Sequence, residues 1–370
     1  MHRAASLALG AAALLLLSPI CLASPAEAAP DRERVLALLA EHRVPGAGIA
    51  LIEGGKIDWV LGYGVREAGR AEPVTRATLF QAASISKPVA AFAAMRLVDQ
   101  GKLRLDDDVN TWLASWRVPQ NAFTRQQPVT LRLLLSHRAG VIVPGFPGYP
   151  AGAQVPTLLE VLEGKLPANT PAIVVDMPPA WSFRYSGGGF CILQQLLVDV
   201  TGAPFDVVME SLLLAPLGMA SSTYRQPLPE ARRSEAATGH QSRGAIEGRW
   251  HTYPELAAAG LWTTPEDLAR FNLAVSRAWR GESPDILSRE LAGEMLTRQG
   301  AGSYGLGLIV RGTGRAMSFS HDGVNAGFES RLVGFPATGQ GAVIMTNANG
   351  SKPLIEALMD LLRAEYRWPE

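Results

Sequence analysis

The sequence predicts an α/β (α+β) fold, in which an antiparallel sheet built from both chain ends is flanked by helices and a mainly helical region is inserted. Two observations lead there. Strand-forming residues concentrate in 48–63 and again in 305–347, while the stretch between reads as helix and loop. Hydrophobic content of 47% beside 18% charged residues suits a well-packed water-soluble protein. A length of 370 residues suits one large domain or two intermixed ones.

The elements follow in order. His2 and Arg3, the apolar run Leu7 to Leu17 and the small-x-small Ala26-Glu27-Ala28 read as a signal peptide over 1–29, cleaved near Ala28 or Ala29. The protein is therefore expected to be secreted or periplasmic. The run is too short for a comfortable membrane span, and Ile20 is too bulky for lipid anchoring at Cys21. Once Cys21 is cleaved away, Cys191 is alone and reads as a small buried hydrophobe. Arg32 to His42 reads as helix. Gly48 to Glu53 and Ile57 to Tyr63 form a hairpin through Gly54-Gly55. An Ala-rich helix runs from the Ser84 region to about Gln100, and Val129 to Leu135 is a short helix capped by Thr130. Residues 141–156, rich in Gly and Pro, read as a long loop. Helices recur at 157–165, 189–201, 204–214, 265–279 and 285–298. Strands return at Gly305 to Arg311, Ala316 to His321, Phe328 to Phe335 and Gly341 to Asn347, and a last helix covers 351–366. Residues 30–83 plus 258–370 then make the sheet domain and 84–257 the helical one, with the active site at their junction.

Charge narrows the function. With 34 basic and 34 acidic residues, the formal net charge is zero, so there is no electrostatic footprint for nucleic acid. No G-x-S-x-G, H-E-x-x-H, P-loop or G-x-G-x-x-G occurs, and His42, His137, His240 and His251 lack metal spacing. No metal or cofactor is expected. The partner is a small molecule.

The chemistry points to Ser84-Ile85-Ser86-Lys87, an S-x-x-K tetrad. Thr78-Leu79-Phe80 leads in as strand, and Pro88 opens the helix that follows, where its missing N–H costs little. Ser84 thus sits at a helix start, where unpaired N–H groups favour developing negative charge. A serine hydroxyl is a weak nucleophile until a neighbouring amine takes its proton, and Lys87 lies three residues on. The plainer alternative is a Ser N-cap beside an exposed lysine. Tyr185, in Phe183-Arg-Tyr-Ser-Gly187, supplies a phenol for acid–base work, or else packs on a loop. His321-Asp322-Gly323 ends a strand. Gly323 admits close approach of a substrate, and His321 either bonds a substrate carboxylate or carbonyl or caps the strand.

The order of these motifs resembles the serine β-lactamase superfamily. Within it, the chain is similar to the class C-like branch, which includes D-alanyl-D-alanine carboxypeptidases, D-amino-acid peptidases and carboxylesterases. Val44-Pro45-Gly46, Leu133-Leu134-Leu135-Ser136-His137, Pro216-Leu217-Gly218-Met219, Ala259-Gly260-Leu261-Trp262-Thr263-Thr264 and Thr346-Asn347 fit the same order. The resemblance implies a serine β-lactamase-like fold. It makes Ser84 the acylated nucleophile, has Lys87 and Tyr185 share proton transfer, and places the oxyanion between the N–H groups of Ser84 and Val324. Gly187, His321, Asp322 and Gly323 then line the substrate. Which of Lys87 and Tyr185 is the main base stays open. Two departures stand out: Gly187 occupies a position that is usually Asn, and His321 stands where efficient class C enzymes carry Lys. Both weaken recognition of an acidic β-lactam. The expectation is therefore an acyl-enzyme hydrolase with esterase or peptidase activity and weak or no β-lactamase activity. The alternatives are a true class C-like β-lactamase, a D-alanyl-D-alanine carboxypeptidase, or a non-catalytic penicillin-recognising protein.

Overall fold

The computed structural model describes residues 29–369; Cys21 and the expected signal peptide, apart from Ala29, lie outside the described residues. A six-stranded antiparallel sheet carries the fold. Its strands are β1 (Gly46–Glu53), β2 (Lys56–Gly64), β3 (Ile309–Arg311), β4 (Ser318–Asn325), β5 (Phe328–Phe335) and β6 (Gln340–Thr346). They lie in the order β2-β1-β6-β5-β4-β3. The N-terminal hairpin meets the C-terminal strands at β1 and β6, where Ala47 pairs with Thr346 and Ile49 with Ile344.

Both faces of the sheet are covered, so β1 and β6 are buried along nearly their whole length. On the outer face, helices Arg32–Glu41 and Lys352–Glu365 close a core with Val35, Leu39, Ile49, Leu51, Ile344, Leu354 and Leu358. On the inner face lies helix Pro265–Arg280. Thr264 caps it by accepting from the Asp267 N–H, Pro265 fills the first turn, and Gly281 ends it at φ 78°. Beyond this helix the inner core continues into the helical region through Phe92, Leu134, Phe190, Leu193, Leu261 and Trp262. Among the described residues, no helix is long and apolar enough to cross a membrane. Cys191 is fully buried.

Several boundaries differ from the sequence expectation. Only Ile309–Arg311 of 305–311 is strand, because the Leu306 and Gly307 N–H groups bond the Met295 and Leu135 carbonyls instead of a neighbouring strand. Conversely, β4 continues through His321-Asp322-Gly323 to Asn325 and does not end there. The helix placed at 189–201 begins at Gly187, because Ser186 is its cap and accepts from the Gly189 N–H. The glycines after Tyr185 are therefore helical. The helix at 285–298 shrinks to Arg289–Met295, and 204–214 divides into an α-helix Phe205–Met209 and a π-turn Glu210–Leu214.

Candidate active site

Ser84 lies in a short 3₁₀ turn, Ala83–Ile85, directly before helix Ser86–Asp99. Ala83 holds a left-handed φ of 51°, unusual for a residue with a side chain. The surroundings fix this turn. Ala82 O accepts from Ser330 Oγ at 3.0 Å, and Ala82 N–H donates to Leu261 O at 2.9 Å. Ser86 Oγ donates to Ala83 O at 2.6 Å and accepts from the Leu261 N–H at 3.0 Å.

Lys87 is buried, 2% exposed, and its Nζ donates to Ser84 Oγ at 3.0 Å and to Ala258 O at 2.8 Å. The tetrad lysine is thus not a solvated side chain in a first turn. Its Nζ also lies 5.1 Å from the Tyr185 ring centroid, so Ser84, Lys87 and Tyr185 share one site. Ser84 and Tyr185 remain half-buried, within reach of a ligand.

β4 forms the opposite wall. A Cβ on Gly323 would collide with Ala82 O and Ser330 Oγ, so only glycine lets the strand lie against the Ser84 turn. β4 and β5 join through Ala326-Gly327, with Asn325 and Phe328 as the closing pair. Main-chain groups alternate between the edges of an antiparallel ladder. Counting back from Asn325, Gly323 and His321 bond β5, whereas Val324 and Asp322 turn theirs to the other edge. That edge is open, since β3 pairs only with Ser318 to Ser320. Asn325 ties the strand down, its Nδ2 donating to Gln81 Oε1 at 2.8 Å and Ala259 O at 3.1 Å.

These features match a known family. A family model described as Beta-lactamase covers residues 32–364. The chain belongs to the beta-lactamase family. Penicillin-binding protein 4 of Amycolatopsis lactamdurans is 29% identical over 369 residues, 94% of this chain and 93% of that one. Esterase EstB of Burkholderia gladioli is 30% identical over 203 residues, 52% of this chain and 50% of its own length. A D-amino acid amidase from Ochrobactrum anthropi SV3 superposes with a TM-score of 0.70 at 22% identity, over 90% of this chain and 98% of that chain. The family and fold class expected from the sequence are confirmed.

Within this beta-lactamase fold, His321 corrects an expectation. It is 3% exposed and both ring nitrogens are spent internally. Nδ1 lies 2.6 Å from Asp322 O, which only accepts, so the ring proton is there; Nε2 accepts from the Tyr304 hydroxyl at 2.7 Å. Burial, reinforced by Lys87, pushes its pKa down to about 4. His321 is therefore a neutral wall residue and has no nitrogen left for a substrate carboxylate. Asp322 is exposed but held by Arg331 through bonds of 2.6 and 3.1 Å.

Gly187 has a structural counterpart that the sequence did not reveal. A Cβ there would stand 2.8 Å from Phe146 Cε2, so the Phe146 ring fills space that a side chain at 187 would need. Phe146 belongs to the 141–156 loop, whose irregular sequence gave no sign of a site role. Beside Tyr185 and His321 opens a cavity of about 400 Å³, lined by Phe183, Tyr304 and Ile309, with Arg311 and Asp322 also on its wall. Sequence reasoning also missed Tyr304, Asn325, Ser330 and the Ala258 carbonyl. The last acts through main chain, and no side-chain motif could signal it.

Behind the site, Glu255 precedes the short helix Leu256–Ala259 and is fully buried, with neither carboxylate oxygen hydrogen-bonded to a partner residue. Burial pushes its pKa up to about 8, opposed by its own main-chain N–H. Among the described residues, no cluster of His, Cys, Asp and Glu could hold a metal ion.

Proposed function

We propose that this protein is a serine hydrolase that forms an acyl-enzyme on Ser84, acting on small esters or peptides, with weak or no β-lactamase activity. The single observation that carries the reading is the buried Lys87 amine, 3.0 Å from Ser84 Oγ. A protein that only recognises penicillins needs no such pair. Ser84 Oγ attacks the substrate carbonyl carbon, and its proton passes to the Lys87–Tyr185 pair. The N–H groups of Ser84 and Val324 receive the oxyanion. The bond to the leaving group then breaks, and that group takes the proton. Water attacks the acyl-enzyme by the same route and restores Ser84.

Substrate preference follows from the walls. Gly187 offers no amide and is overlain by Phe146, His321 is neutral, and the cavity beside Tyr185 is largely apolar. Short-chain apolar esters suit this surface better than anionic β-lactams. One observation favours a second reading, a carboxylate-bearing substrate: Arg311 lines the cavity and forms no ion pair among the described residues. The small-molecule substrate class is also supported by the esterase and amidase among the relatives. Residues 1–29 support export, hence a secreted or periplasmic protein.

The test is labelling with a fluorescent alkyl phosphonate and mapping of the modified peptide, beside Ser84→Ala. Label on Ser84, lost in the variant with a turnover drop of at least ~10³-fold, supports the reading. Label that maps to Ser86 or Ser186 refutes it. Paired neutral and carboxylated p-nitrophenyl esters, assayed in wild type and Arg311→Gln, separate the two substrate readings.

A further inference from the structure

We propose that His137 is the positioning residue of Tyr185, clamping the main chain on both sides of it and packing on its ring; this rests on the role given to Tyr185 above. Arg184 N–H donates to the His137 carbonyl at 2.8 Å, and Ser186 N–H donates to His137 Nδ1 at 3.0 Å. The two bonds bracket Tyr185 in sequence, so its backbone is pinned from before and after. The imidazole lies 4.3 Å from the Tyr185 ring, centroid to centroid, tilted by 34°. One residue thus fixes where Tyr185 starts and which way its ring leans.

The histidine is itself over-determined. Its φ is 56°, a left-handed value held by the Ser136–Arg138 turn, where the Arg138 N–H bonds Leu133 O at 2.8 Å. The ring is fully buried among Phe183, Phe190 and Tyr304, with centroids 5.9, 5.3 and 4.8 Å away. Because Nδ1 accepts, the ring proton sits on Nε2, which has no hydrogen-bond partner among the described residues. Burial, with Lys87 and His321 nearby, holds the imidazole neutral. An acceptor at Nδ1 is thereby guaranteed, at the cost of an unpartnered N–H. Ser186, whose N–H is received, also caps helix Gly187–Thr201, so the clamp joins Tyr185 to a rigid element. His137 touches none of the reacting atoms and acts through Tyr185 alone.

The experiment is a double-mutant cycle of His137→Ala and His137→Asn against Tyr185→Phe, reading kcat and KM for one p-nitrophenyl ester. Asparagine keeps an oxygen near the Nδ1 position and tolerates the left-handed φ, but loses the ring. We expect His137→Ala to lower kcat by about 10²-fold with KM little changed, as for a displaced catalytic group. His137→Asn should recover much of that loss. In the Tyr185→Phe background both substitutions should change kcat less than about threefold, since the group they position no longer carries a proton. Equal losses in both backgrounds overturn the inference while leaving the role of Tyr185 intact. If Tyr185→Phe alone keeps wild-type kcat, the role given to Tyr185 falls and takes this inference with it. Should His137→Ala not fold, the Asn cycle decides: a kcat loss that persists undiminished in Tyr185→Phe refutes the clamp.

Discussion

Replacing Glu255 with glutamine removes a buried carboxyl that has no hydrogen-bond partner residue, and the result depends on pH in a way that can be worked out beforehand. The carboxyl titrates at 4.5 in its ordinary setting and at about 8 in the fold. Between those values the unfolded chain is ionised while the native state keeps its proton. The native state then binds more protons, and stability falls as pH rises. The contribution is complete below pH 4.5 and gone above pH 8. Each pH unit in that window is worth ~1.4 kcal/mol, so wild type loses about 4 kcal/mol between pH 5 and pH 8 from this group alone. The Glu255→Gln variant has no such dependence. Its amide is unpartnered in the same way as the protonated carboxyl that it replaces, so the two proteins differ little where that carboxyl keeps its proton. The variant should therefore be close to wild type in stability at pH 5 and the more stable protein at pH 8. Guanidinium unfolding curves of both proteins at pH 5, 6.5 and 8 give the difference directly. A difference that stays constant across that range would show that Glu255 ionises freely in the fold, and the argument from burial would fail.

Three further outcomes follow from the site. Lys87→Ala and Tyr185→Phe should each lower turnover by ~10²–10⁴-fold, and the double variant by far less than the product, because the proposed proton path runs through both; full additivity would separate them. His321→Lys should not improve β-lactam turnover, as the sequence alone would suggest. It buries a second cation near Lys87 and breaks the bond from Tyr304, so thermal unfolding should show a loss of about 3 kcal/mol or more, with kcat/KM falling for ester and cephalosporin alike. Gly187→Asn should destabilise the protein through its 2.8 Å approach to Phe146, and adding Phe146→Ala should relieve this and raise p-nitroanilide hydrolysis relative to ester hydrolysis; an unrelieved double variant would place the strain elsewhere.

The sequence showed what is local. Ser84 and Lys87 are three residues apart on one turn, so their meeting follows from helical geometry. The sheet strands Phe328–Phe335 and Gln340–Thr346 were plain from their β-forming runs. What stayed hidden depends on partners far along the chain. His321 looked available because Tyr304, 17 residues earlier, stands just before the 305–311 stretch that reads as strand, and nothing in the sequence shows that Leu306 and Gly307 are tied instead to Met295 and Leu135, so no pattern pointed to its hydroxyl as the partner of the ring. His137 was read as lacking metal spacing and as part of the Leu133-to-His137 motif, with no role for its side chain, whereas its ring nitrogen serves as an acceptor for a main-chain N–H 49 residues away. Phe146 stood in a loop without periodicity, and its relevance appears only when Gly187 is seen beneath it.

The meeting of β1 and β6 has a consequence for biogenesis. The Gly46 N–H bonds Asn347 Oδ1, 301 residues along the chain. During synthesis, the β1–β2 hairpin must therefore wait for almost the entire polypeptide before its inner edge is covered. Non-local pairing of this kind is slow and leaves strand edges open meanwhile. A nascent or C-terminally shortened chain lacking β6 has two sheet fragments with no strand between them. Such a chain cannot close its sheet prematurely. The same delay makes late truncations a route to aggregation, because the exposed edge of β1 is then free to pair with another copy.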